Sequence, residues 1–174
     1  LAWIEQAMSD LRAAHRLENR NDPRTFCQAI SKYQQAVEKA VKGVAAVLQH
    51  GGVFSSGPGN RHAVNPLILA LLNVPRSDEN RELIKKMDQL FLPHRQRDIA
   101  DLDALAPVYP DPGKLHARNH EYPFQDSSGA WHPPCEPNHR DAFKIGEVKR
   151  FSVTANRVCA ILQEIVLALE LIYP

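Results

Sequence analysis

The densest collection of side chains able to do chemistry runs through His132-x2-Cys135-x3-His139, with His116 and His120 upstream. Imidazole and thiolate at these separations are zinc-ligand chemistry, and a metal would order the proline-rich stretch around them. The set lacks paired cysteines, however, and its short Pro-Pro spacer is not a zinc-knuckle pattern. The expectation is therefore no metal and no cofactor. A phosphate-gripping loop is excluded as well. GGVFSSGPGN, residues 51–60, is rich in glycine but lacks the terminal Lys-Ser/Thr and the flanking strand that such a loop needs. No serine–histidine–acid set stands out. Lys39 and Lys42, and Arg81, Lys85 and Lys86, read as solvated helix faces.

Something must position whatever does act, and the pattern for that is helical throughout. Thr25 to Leu48 carries Phe26, Ile30, Tyr33, Val37, Val41, Val44 and Leu48 at alternating steps of three and four, one stripe along a helix. Gln28, Lys32, Gln35, Lys39 and Lys42 are assigned to its solvated face. Asp22-Pro23 gives a cap and a proline at the first turn, and Gly51-Gly52 closes the end. Ala29, Ala36, Ala40 and Ala45 thin the flanks, so neighbours can approach on more than one side.

Ahead of it, Trp3 to Leu17 is amphipathic, with Ile4, Ala7, Met8, Leu11 and Ala14 inward and Asp10, Arg12, Arg16 and Glu18 outward. The short break at residues 19–22 implies an antiparallel hairpin. A third helix is expected from His62 to Asn73, ended by Pro75, and a fourth with Leu83, Ile84, Met87, Leu90 and Phe91, ended or kinked by Pro93. Residues 98–105 allow another turn or two. Residues 106–138 hold seven of the thirteen prolines and no periodicity, a loop of the length that usually serves a function or stays disordered. From Arg140 the helix pattern returns, with Val148, Phe151, Ala155, Val158, Leu162, Ile165, Leu169 and Ile172. The expected fold is all-α: a single domain over residues 1–174, an up-and-down bundle of about five helices with a loop at about 106–139. Most of its stability should come from the second and last helices.

Composition narrows the class. Of 174 residues, 44% are hydrophobic and 24% charged, as in soluble globular proteins, and a net charge of +1 gives no global basic excess for nucleic acid. Cys27, Cys135 and Cys159 make no disulfide framework; the first and last read as small hydrophobes in helices, and the count favours a reducing cytoplasm. No stretch reads as a signal peptide or a membrane span. The chain begins at Leu1, which a trimmed chain or an unusual start codon would explain.

The order of these motifs resembles HEPN domains (higher eukaryotes and prokaryotes nucleotide-binding). The resemblance is carried by Trp3, Ala7, Asp10, Leu11 and Ala14 in the first helix. It continues in Tyr33-Gln34-Gln35-Ala36-Val37-Glu38-Lys39-Ala40-Val41-Lys42 in the second, and in His62 with Leu67, Leu71 and Leu72 in the third. Arg118-Asn119-His120-Glu121-Tyr122-Pro123, preceded by Tyr109, resembles the arginine–tyrosine–proline motif before the family's last helix. Many members are metal-independent ribonucleases with an R-x(4–6)-H motif. Here no arginine stands five to seven residues before any of the eight histidines, so no catalytic residue is assigned and activity as an enzyme is not expected. The resemblance then implies nucleotide or nucleic-acid binding, with Arg118 on a phosphate, Tyr122 stacking or donating, and His120 as hydrogen-bond donor or acid. It also implies a homodimer with these residues near a shared cleft, drawing on apolar surface beside Thr25–Leu48, and a minimal nucleotidyltransferase as partner in a toxin–antitoxin-like pair. A ribonuclease with a rearranged site and a purely structural or protein-interaction bundle are the competing readings.

Overall fold

The computed structural model describes residues 2–54, 65–74, 76–78, 81–104, 124–125, 128–132 and 143–173. Six α-helices run through them: α1 (Ala2–Asn19), α2 (Pro23–His50), α3 (Asn65–Ala70), α4 (Arg81–Leu90), α5 (Pro93–Asp103) and α6 (Ile145–Ile172). A 3-10 turn, Leu71–Asn73, follows α3. The fold is all-α, as its periodicities predict. The one addition is a two-residue antiparallel pairing of Phe124–Gln125 with Trp131–His132, which is too short for a sequence pattern to mark.

The α2 helix starts where its sequence says it should. Asp22 accepts the backbone N–H of Arg24 at 3.0 Å, and Pro23 occupies the first turn, where no donor is lost. The Arg24 guanidinium doubles this contact and holds the Asp22 carboxyl below its ordinary range. Thr25 Oγ1 donates to the carbonyl of Asp22 at 2.8 Å and reaches that of Leu17 at 3.1 Å, tying the α1–α2 corner together. At the other end Gly52 takes a φ of +73°, a left-handed turn that a glycine adopts without strain. There Val53 N–H bonds back to Leu48 O at 2.9 Å.

The core is a three-helix sandwich around α2. Phe26, Ile30, Val37, Val41, Val44 and Leu48 are buried, together with Ala29, Ala36, Ala40 and Ala45 between them. The α1 helix packs on α2 more extensively than α6 does, so α2 is held between both of them. Ile4, Ala7, Leu11 and Ala14 come from α1, and Val148, Phe151, Ala155, Val158, Leu162, Ile165 and Leu169 from α6. The α4 and α5 helices cover another side of α6.

Pro93 does not simply stop a helix; it opens one. Gln96 N–H bonds to Leu92 O at 2.9 Å, and the Gln96 side chain donates to Leu90 O at 2.7 Å, so the corner between α4 and α5 is satisfied locally. Residues 93–97, HRQR after the proline, carry no apolar stripe, and the expected turn or two is in fact an eleven-residue helix held by Ile99 and Leu102. At α6, Glu147 Oε2 accepts the Lys144 N–H at 2.9 Å, capping the helix at Ile145; residues 140–142 lie outside the described set.

Candidate functional site

Arg118, His120 and Tyr122 lie outside the described residues, as do His116, Cys135 and His139. The backbone of His132 is in the short β pairing. Among the described residues no group of three histidine, cysteine or acidic side chains could hold a metal. Cys27 corrects its reading as a simple small hydrophobe: it is buried and disulfide-bonded. Cys159 is free, and burial pushes its thiol up to about 12, which makes it a poor nucleophile.

Polar chemistry concentrates where the sequence pattern placed solvent. The wide α2 surface assigned to water is largely covered by α1, because the alanines and Gly43 let that helix close in; a Cβ on Gly43 would stand 3.2 Å from Trp3 Cβ. Lys42 is buried, not solvated, and pairs with Glu38 at 2.7 Å, both side chains 8% exposed. Its Nζ also lies 5.8 Å from the centre of the Trp3 ring, a cation–π distance. Asp10, expected to face away, is buried and accepts both Lys39 and Lys32, the latter at 3.2 Å. Lys32 also donates to Gln35 at 2.8 Å. The lysines of α2 are spent on internal carboxylates, which withdraws them as ligand contacts.

A second polar cluster joins three helices. The Tyr33 hydroxyl donates to Glu18 and lies 3.1 Å from His15 Nδ1. A phenol has one proton, so His15 must donate from Nδ1 to the Tyr33 oxygen. The other ring nitrogen, Nε2, faces the Asn156 amide on α6, with Nδ2 3.1 Å and Oδ1 3.3 Å away. The same amide donates to Ser152 O at 2.7 Å. Burial first, and the Glu18 carboxylate second, push the Tyr33 phenol well above its ordinary range, so it stays a donor. Both ring nitrogens of His15 are committed, which makes this cluster a staple between helices rather than an acid–base centre.

Arg95 stands apart. It is buried on α5, its Nη1 is 3.5 Å from Asp98, and among the described residues its Nε has no hydrogen-bond partner.

The charged side chains that α1 leaves exposed are Glu5 near its start and two arginines in its second half. Arg12, Arg16 and Arg20 recur every four residues along α1 and into the corner that follows, all exposed and none in an ion pair among the described residues. Arg24 continues the spacing but is clamped by Asp22. The four-residue recurrence of arginine is a sequence feature that a net charge of +1 averages away.

The HEPN domain family model matches residues 1–105. This chain is a HEPN-family protein. The match covers α1 to α5, including the Trp3–Ala14 and Tyr33–Lys42 motifs, and stops short of the Arg118–Pro123 motif. No curated protein and no solved structure matches the chain. No helix among the described residues of this HEPN protein is long and apolar enough to cross a membrane.

Proposed function

We propose that this HEPN protein binds a nucleotide or nucleic acid rather than cleaving one. The observation that carries the reading is the row formed by Arg12 and Arg16 on α1 and Arg20 in the turn after it, exposed and in no ion pair among the described residues, in a chain of this family. Guanidinium groups along one edge suit successive phosphates, since each chelates oxygens through its planar fork. Arg118, His120 and Tyr122 remain proposed contacts for phosphate and base, from their residue types and motif order. The protein acts as a homodimer with a minimal nucleotidyltransferase as its candidate partner; the disulfide at Cys27 removes the free-thiol argument for a reducing cytoplasm. The missing R-x(4–6)-H spacing is what sets ribonuclease activity aside.

Fluorescence anisotropy with a labelled single-stranded RNA, and separately with ATP, tests it. Wild-type protein should bind at low salt. Arg12→Ala with Arg16→Ala should weaken RNA binding and flatten its dependence on salt by roughly 0.7 in logarithmic slope per arginine. Arg118→Ala should weaken binding of both probes. No binding of either probe by folded protein would sink the proposal and leave the structural-bundle reading in its place.

A further inference from the structure

Among the described residues the longest run of exposed apolar side chains is not beside α2, whose large hydrophobic residues are buried, but along α6. Val153, Leu167 and Leu171 are 49%, 49% and 86% exposed, and Ala160 between them is exposed as well. Positions 153, 160 and 167 are separated by seven residues, the spacing that keeps one seam of a helix facing a partner helix over several turns. From Val153 to Leu171 the seam is about 27 Å long at 1.5 Å per residue. Other exposed large residues, Trp3, Leu69, Leu72, Leu92 and Trp131, are scattered over α1, α3, its 3-10 turn, the α4–α5 corner and the short β pairing, as is normal for a folded surface.

We infer that this face of α6 receives the same face of a second copy, antiparallel, about a two-fold axis beside Ala160. The claim rests on the homodimer part of the reading above and supplies its surface. Between positions 153 and 167 the sequence of the helix is self-complementary under that operation, while Leu171 beyond it falls opposite Lys149. Reversing it about position 160 brings Val153 opposite Leu167 of the other copy and Ala160 opposite its own equivalent, where the small side chain lets the backbones approach. Arg157 then falls opposite Glu164, because the two lie almost equally far on either side of the axis.

The flank agrees too. At about 100° per residue, positions 157 and 164 are only about 20° apart around the helix, so a two-fold axis perpendicular to the helix pair puts both on the same side of the seam. The arrangement makes the pair twice, once at each end. Arg157 is exposed and forms no ion pair among the described residues. Glu164 reaches Lys86 of its own chain yet keeps 58% of its side chain exposed, so it can accept a second cation. A membrane or an unrelated apolar protein would have no use for this paired charge.

Three measurements on the full chain decide it. Light scattering should give the mass of a dimer. Arg157→Glu and Glu164→Arg should each weaken the dimer about tenfold or more, and the two together should restore it. Ala160→Cys should cross-link to its equivalent under mild oxidation, whereas Arg157→Cys should not, its equivalent being about 10 Å away along the seam. Circular dichroism confirms that each variant is folded. A dimer indifferent to both charge changes, with no cross-link at position 160, overturns this face while the homodimer reading survives. A monomer at micromolar concentration overturns both.

Discussion

The Tyr33 hydroxyl, in the middle of α2, stands 3.1 Å from Nδ1 of His15 on α1. That relationship, closed by Glu18 on one side and Asn156 on the other, links the three core helices by hydrogen bonds rather than by apolar contact alone. Tyr33→Phe keeps the ring and deletes the hydroxyl, leaving Glu18 and His15 each short of a partner. The expected loss is about 1–3 kcal/mol in urea unfolding. An unchanged midpoint would mean that the cluster contributes nothing.

The same phenol sets an alkaline limit. Its folded-state pKa is raised above the ordinary tyrosine value, so its contribution to stability is complete below pH about 10 and is lost as pH rises through the folded value. Urea midpoints measured from pH 8 to pH 11 should fall at the alkaline end for the wild type. The fall should be shallower in Tyr33→Phe; parallel curves would remove Tyr33 as its source.

Glu38 and Lys42 give a sharper test, because both are buried on one α2 face. Removing one partner leaves a charge in the interior. Glu38→Ala should therefore destabilise by about 3–5 kcal/mol. Glu38→Leu combined with Lys42→Met should cost clearly less than the two single changes summed, since neither charge is then stranded. Additive losses in a double-mutant cycle would show that the pair does not interact.

These pairs explain where sequence reading stops. The stripes of α2 and α6 were legible because every member is apolar and the period of 3.6 says which way it faces. Lys39, Lys42 and Asp10 were not, because helical spacing places a side chain on a face without saying whether another helix covers that face. The cover comes from α1 packing on Ala36, Ala40 and Gly43, a property of two segments at once. Pro93 misled for a related reason: proline is equally at home just after one helix and at the first turn of the next. Of the proposed contacts, the family resemblance reaches Arg118, His120 and Tyr122, and helical spacing already turns Arg12 and Arg16 outward; what spacing does not show is that the neighbouring Asp10 and Glu18 are taken by Lys32, Lys39 and Tyr33 of α2.

Gly51 offers a local test of how the chain end is held. A Cβ added there would lie 2.5 Å from ring carbons of Tyr173, which packs over the end of α2 just past the last turn of α6. The backbone φ of −72° suits any residue, so the objection to a side chain is contact, not conformation. Gly51→Ala should displace the Tyr173 ring and lower the thermal midpoint, and Tyr173→Ala should relieve the clash so that the double variant loses less than the sum. Equal midpoints for wild type and Gly51→Ala would show that the ring moves aside without cost.

The last prediction concerns catalysis. Metal-independent RNA cleavage needs a positioned proton acceptor and donor near the scissile phosphate, with a cation to hold it. In this chain His15 has Nδ1 3.1 Å from the Tyr33 hydroxyl and Nε2 against the Asn156 amide, so both ring nitrogens already have protein partners. The arginine–histidine spacing of the family's ribonucleases is absent from the whole sequence. Purified protein incubated with structured and single-stranded RNA should therefore leave both intact at concentrations where anisotropy shows binding. Cleavage that disappears in Arg118→Ala would overturn this and make the chain a ribonuclease with a rearranged site. Cleavage that persists in that variant but disappears in His15→Ala would instead move the chemistry to the three-helix cluster and contradict its role as a staple.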